Sequence, residues 1–66
     1  MSKMVEIDHI NTTGNTGTIH TSRGTAQIPS ESEASEIKSL LNRGKTVYAE
    51  LVEEGDVLIY LRYEVK

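Results

Sequence analysis

The last third of the chain, Lys45 to Lys66, constrains the fold most, because KTVYAELVEEGDVLIYLRYEVK places alternating apolar residues on both sides of one turn. Val52-Glu53-Glu54-Gly55 reads as a type I turn whose fourth residue, a glycine, enters the left-handed region as a bulge. That turn pairs Val52 with Asp56 and sets every later pair of the hairpin. Val47, Ala49 and Leu51 then share a face with Val57, Ile59, Leu61, Tyr63 and Val65. The opposite face carries Tyr48 across from Tyr60, with Val52 and Leu58 nearby and Arg62 across from Thr46. One face can pack on a core. The second is apolar enough to require a partner too.

Size sharpens that requirement. The chain has 66 residues, enough for a single domain spanning 1–66. A domain this small buries only about 60% of the surface its unfolded chain exposes. It has no cysteine, tryptophan or phenylalanine, so disulfides and thiolate metal sites are excluded and the core rests on aliphatics and three tyrosines. Association with another chain is the remaining way to stabilise it, so a homo-oligomer, dimer or higher, is expected.

The formal net charge is −3. An acidic chain lacks the electrostatic footprint that phosphate neutralisation requires, so nucleic acid is not expected as a partner. Nor is an anionic membrane surface. MSKMVEID carries no apolar signal-peptide core and no segment is long enough to span a bilayer, which points to the cytoplasm.

Along the chain, Lys3–Ile10 predicts a strand with Val5, Ile7 and His9 on one face and Met4, Glu6, Asp8 and Ile10 on the other. NTTGNTG, Asn11 to Gly17, reads as a polar loop. Thr18–Ser22 and Thr25–Ile28 read as a short hairpin around Arg23-Gly24, with Ile19 facing Ile28, Thr21 facing Ala26 and His20 facing Gln27. Pro29 ends the extended run, and Ser30–Arg43 predicts the one helix. Ser30 and Glu33 form a capping box, Ala34, Ile37, Leu40 and Leu41 an apolar stripe, and Gly44 a C-terminal stop.

The order β-β-β-α-β-β gives a small α+β fold, an antiparallel sheet with one helix packed on one face. The same order fits an OB-like small barrel, in which a helix falls between the third and fourth strands. Against closure stand the short second and third strands and the absence of an aromatic, basic groove.

Candidate chemistry is sparse. His9 and His20 are the only histidines, and a metal site needs three or four ligands. Ser22 lies on the strand face of His20, yet no glycine-flanked serine elbow accompanies them. Gly14-Asn15-Thr16-Gly17 lacks the spacing, the lysine and the following helix of a phosphate loop. No enzyme, metal or cofactor is expected. Tyr48, Leu58, Tyr60 and Arg62 form the expected contact face, since tyrosine and arginine are enriched at interface hot spots. Asn11, Asn15, Thr16 and Arg23 are the candidate contacts for a small anion.

The resulting expectation is a non-enzymatic cytoplasmic binding protein that acts as an oligomer and blocks a macromolecular partner. In general architecture only, it resembles the small inhibitors that bacteriophages and mobile elements encode. The alternative is an oligomer that sequesters a small anionic, nucleotide-like ligand between subunits, using the Asn11–Gly17 loop, Arg23 and Arg62.

Overall fold

A computed structural model describes residues 2–13 and 16–66. Five strands and one helix follow in order: β1 (Ser2–Thr13), β2 (Thr16–Thr21), β3 (Gly24–Ile28), α1 (Glu31–Asn42), β4 (Val47–Glu54) and β5 (Val57–Val65). The sheet is not open. It closes in the order β1-β2-β3-β5-β4, which is the barrel alternative. Closure rests on one short parallel contact, Ala26 to Leu58 and Gln27 to Ile59, the only non-antiparallel pairing among the described residues. The second and third strands can be short because β1 serves two neighbours. Its first half pairs with β4 from Ser2 to Glu6, and its second half with β2 from Ile7 to Thr13.

The hand-over occurs at a bulge around Asp8, between the pairs Ile7–Thr21 and His9–His20. An extra residue bends the strand and reverses its face. Ile7 and Ile10 therefore both enter the core, and His9 turns outward. Beyond Ile10 the strand continues through Asn11, Thr12 and Thr13, so most of the expected polar loop is β-structure. Gly14 and Asn15 lie outside the described residues.

The β2–β3 turn sits one residue earlier than expected, on Ser22-Arg23, with Thr21 opposite Gly24. Thr21 holds it: its Oγ1 accepts from the Arg23 N–H at 3.1 Å and donates to the Gly24 carbonyl at 2.8 Å. Ile19 consequently faces Ala26 and His20 faces Thr25. The shift is two residues in register, so the faces survive, and Ile19, Ala26 and Ile28 remain inward.

The helix forms as its caps dictate. The Ser30 side chain accepts from the Glu33 N–H at 3.4 Å. At the other end the Gly44 N–H donates to Leu41 and the Lys45 N–H to Leu40, a Schellman pair made possible by φ +79° at Gly44. Ala34 and Ile37 are fully buried, with Leu40 and Leu41 half-buried beside them. The helix packs on β1, β2, β3 and β4 and stops one end of the barrel.

The β4–β5 hairpin departs most from expectation. Its turn is Gly55-Asp56, flanked by the pair Glu54–Val57, with positive φ only at Gly55 (+63°) as a type II′ turn requires. A bulge at Leu61 follows, between Leu51–Tyr60 and Glu50–Arg62. The two changes together invert part of the strand. Tyr60 and Leu58 turn inward opposite Leu51 and Glu53, whereas Val57, Ile59 and Leu61 are exposed. Tyr63 stays on the inward face as expected, although it now pairs with Ala49.

Candidate functional site

The expected contact face is divided between the inside and the outside of the barrel. Tyr60 is a core residue, 9% exposed, and Leu58 packs against the core. Tyr48 stays on the outer surface, facing Glu64 rather than Tyr60, with the Lys66 ammonium 5.7 Å from its ring centroid. Arg62 is also outside, opposite Glu50 rather than Thr46. The cause is the register. A shift by an odd number of residues exchanges a strand's faces, and the turn at Gly55-Asp56 moves the register of Tyr60 by three, from Tyr48 to Leu51.

Arg62 donates from Nε to Glu50 and from Nη1 to Glu64, both at 2.7 Å. Glu50 also accepts from the Ser2 hydroxyl at 2.6 Å. That hydroxyl and the guanidinium hold the Glu50 carboxyl below the usual range, and the two carboxylates raise Arg62 in turn. The Arg62 charge is thus already shared with two carboxylates of its own chain.

Asn11 stands beside the middle of β2, whereas Arg23 lies in the turn beyond its end. Asn11, facing Thr18, places Nδ2 3.3 Å from Nε2 of His20. His20 in turn stacks on His9, centroids 4.1 Å apart and planes within 7°. Parallel stacked rings direct their nitrogen lone pairs side by side and cannot converge on one metal ion. Among the described residues no group of three His, Asp or Glu side chains is placed to hold a metal. Thr16 pairs with Thr13 in the β1–β2 ladder, and Asn15 lies outside the described residues. Among the described residues the outer surface of the second half of β1, of β2 and of β3 presents His9, Asn11, Thr18, His20, Thr25 and Gln27, polar and without lysine, arginine or a large aromatic.

Two features escaped the sequence reading. The first is the barrel end away from the helix, a pocket of about 300 Å³ with Val5, Leu51 and Leu58 as its floor and Lys3, Arg23 and Glu53 at its rim. Arg23 reaches Glu53 only loosely, at 3.7 Å, and both side chains are largely exposed. Lys3 and Arg23 are 20 positions apart, so no spacing announces them. The second is an exposed apolar row on β5: Val57 at 61%, Ile59 at 38% and Leu61 at 51% exposure. Glu53, Glu54 and Asp56 cluster at the turn that begins this row. Alternation had marked the row as apolar, but assigned it to the core.

Beneath β5, two tyrosines meet the acidic side of α1. The Tyr63 hydroxyl donates to Glu36, and this bond, followed by burial, pushes its ionisation up to about 12. The Tyr60 hydroxyl is buried without a hydrogen-bond partner, although Glu33 lies near. Burial, then that carboxylate, drives its ionisation well above the ordinary phenolic range.

Among the described residues no helix is long and apolar enough to cross a membrane. No family model, curated protein or solved structure matches the chain.

Proposed function

We propose that the chain is a non-enzymatic cytoplasmic binding protein that acts as an oligomer to occupy and block a macromolecular partner. The observation that carries this reading is the apolar row Val57, Ile59 and Leu61, left in solvent beside an acidic turn. Exposed apolar residues that line up along one strand favour a protein contact, and the flanking carboxylates select a surface with basic margins. A nucleic-acid surface fits less well, because among the described residues the outer face formed by the second half of β1, β2 and β3 carries no lysine or arginine and the net charge is −3. Ile59→Asp tests the reading, since an exposed position tolerates the charge. A protein retained by the wild-type chain and lost on the folded Ile59→Asp variant supports it. Equal retention by both, or none by the wild type, removes it.

A small anionic ligand is the second reading, and the barrel-mouth pocket favours it. Lys3 and Arg23 converge there over an apolar floor of Val5, Leu51 and Leu58. This moves the ligand from the Asn11–Gly17 loop and Arg62 to the end of the barrel. Native mass spectrometry of the untagged chain from its host decides between the readings. Excess mass of a few hundred daltons that disappears in Arg23→Ala supports the ligand; a co-purifying polypeptide supports the blocking role.

A further inference from the structure

The second half of β5 has an open edge. β4 covers one side of the strand from Val57 to Val65, whereas β3 covers the other only at Leu58 and Ile59. The helix packs on the four other strands and meets β5 through side chains, Glu36 on the Tyr63 hydroxyl and Glu33 near that of Tyr60. Alternation determines which backbone groups face the open side. The Lys66 N–H donates to the Thr46 carbonyl at 2.9 Å. In an antiparallel ladder every second residue bonds the same neighbour, so Lys66, Glu64 and Arg62 direct their backbone groups to β4. Tyr63 and Val65 direct theirs outward, to the uncovered edge. Such an edge is a template for another strand.

We propose that this edge pairs antiparallel with the same edge of a second copy, on a two-fold axis at Tyr63. The inference rests on the oligomeric part of the function proposed above and not on its partner. Charge chooses the register. With the axis at Tyr63, Arg62 of each copy stands opposite Glu64 of the other, and both side chains are on the outer surface. An axis one residue earlier opposes the two Arg62 side chains, and one residue later the two Glu64 side chains. The five N–H donors of a guanidinium allow Arg62 to serve the second copy while it keeps Glu50. On the opposite face Val65, 46% exposed in one chain, lies diagonal to Tyr63 of the second copy, within reach of its ring. A closed isologous contact of this kind also ends this edge, because the open stretch of each copy is covered by that of the other.

Charge exchange tests the register on the full untagged chain, by analytical ultracentrifugation at tens of micromolar. The wild type is expected to be a dimer. Arg62→Glu and Glu64→Arg, each alone, oppose like charges twice and weaken self-association about tenfold. Mixed in equal amounts they form a heterodimer in which both pairs are again attractive. A monomeric wild type, a dimer indifferent to both changes, or single variants that do not recover on mixing would each overturn the proposal. Should a charge variant fail to fold, Val65→Pro removes an N–H from the open side alone and leaves the β4 ladder bonded. Folded and monomeric, it supports the pairing; folded and dimeric, it refutes it. A monomeric wild type that still captures a protein through Ile59 sinks the dimer alone. A charge-sensitive dimer that captures nothing sinks the partner reading alone.

Discussion

Gly17 of β2 and Ala34 of α1 meet where no further atom fits: a Cβ on the glycine would lie 2.6 Å from the alanine Cβ. Both are buried, and the contact seats the helix on the barrel end. Gly17 has no left-handed backbone, so its reason is space and not conformation. Gly17→Ala should therefore overpack the contact and cost about 1–3 kcal/mol, read as a lower urea midpoint at constant slope. Loss of less than about 0.5 kcal/mol would show that the helix can shift at little cost.

Gly55 presents the opposite case, with nothing within 4 Å of an added Cβ but φ at +63°. Gly55→Ala should cost about 1–2 kcal/mol through backbone strain alone. Gly55→Asn should lose less, since asparagine tolerates this region. Thermal unfolding of the pair separates strain from packing.

Tyr60 and Tyr63 make a matched comparison. Tyr60→Phe removes a buried hydroxyl that has no partner, so stability should hold or rise by up to about 1 kcal/mol. Tyr63→Phe removes the donor to Glu36 and should lower stability by up to about 1 kcal/mol, discounted because the pair is exposed. Chemical denaturation of both variants reads the sign directly. Equal destabilisation by both would show that the Tyr60 hydroxyl is satisfied in solution.

Tyr63 also predicts a pH dependence. Its ionisation is raised in the folded chain from 10.0 to about 12. A raised group contributes stability that is complete below the unfolded value and is lost as pH climbs through the folded one. Unfolding free energy should thus fall between pH 10 and 12 through this group, and Tyr63→Phe should flatten that slope. An unchanged slope in the variant would exclude the Glu36 contact as its source.

Glu50 acts at the acid end with the reverse sign. Its carboxyl is held below 4.5, first by the Ser2 hydroxyl and then by Arg62. The stability it contributes is present above 4.5 and disappears as pH falls through the lowered value. Carboxyl NMR titration should show Glu50 moving back up in Ser2→Ala and in Arg62→Gln. No movement in either would mean that the exposed trio does not persist in solution.

The amino-acid sequence by itself determined those elements whose causes are local. Ser30, the stripe of Ala34, Ile37, Leu40 and Leu41, and Gly44 specify the helix within one residue of its observed ends, because caps and helical spacing act over a few positions. The inward faces of β2, β3 and β4 were equally legible: a turn misplaced by one residue shifted the β2–β3 pairing by two, and an even shift preserves faces. Tertiary structure decided the rest. The turn at Gly55-Asp56 shifts β5 by an odd number of residues, placing Tyr60 in the core and Ile59 in solvent, and the bulges at Asp8 and Leu61 insert single residues that send His9 out and return Tyr63 to its inward face. No local propensity marks them, since what selects them is the curvature needed to close a barrel. Closure itself depends on Ala26–Leu58 and Gln27–Ile59, pairs 32 positions apart in the chain. Contacts that distant are chosen by how the whole core packs, which is why the mouth pocket at Lys3 and Arg23 and the open edge at Tyr63 emerge only from the folded barrel.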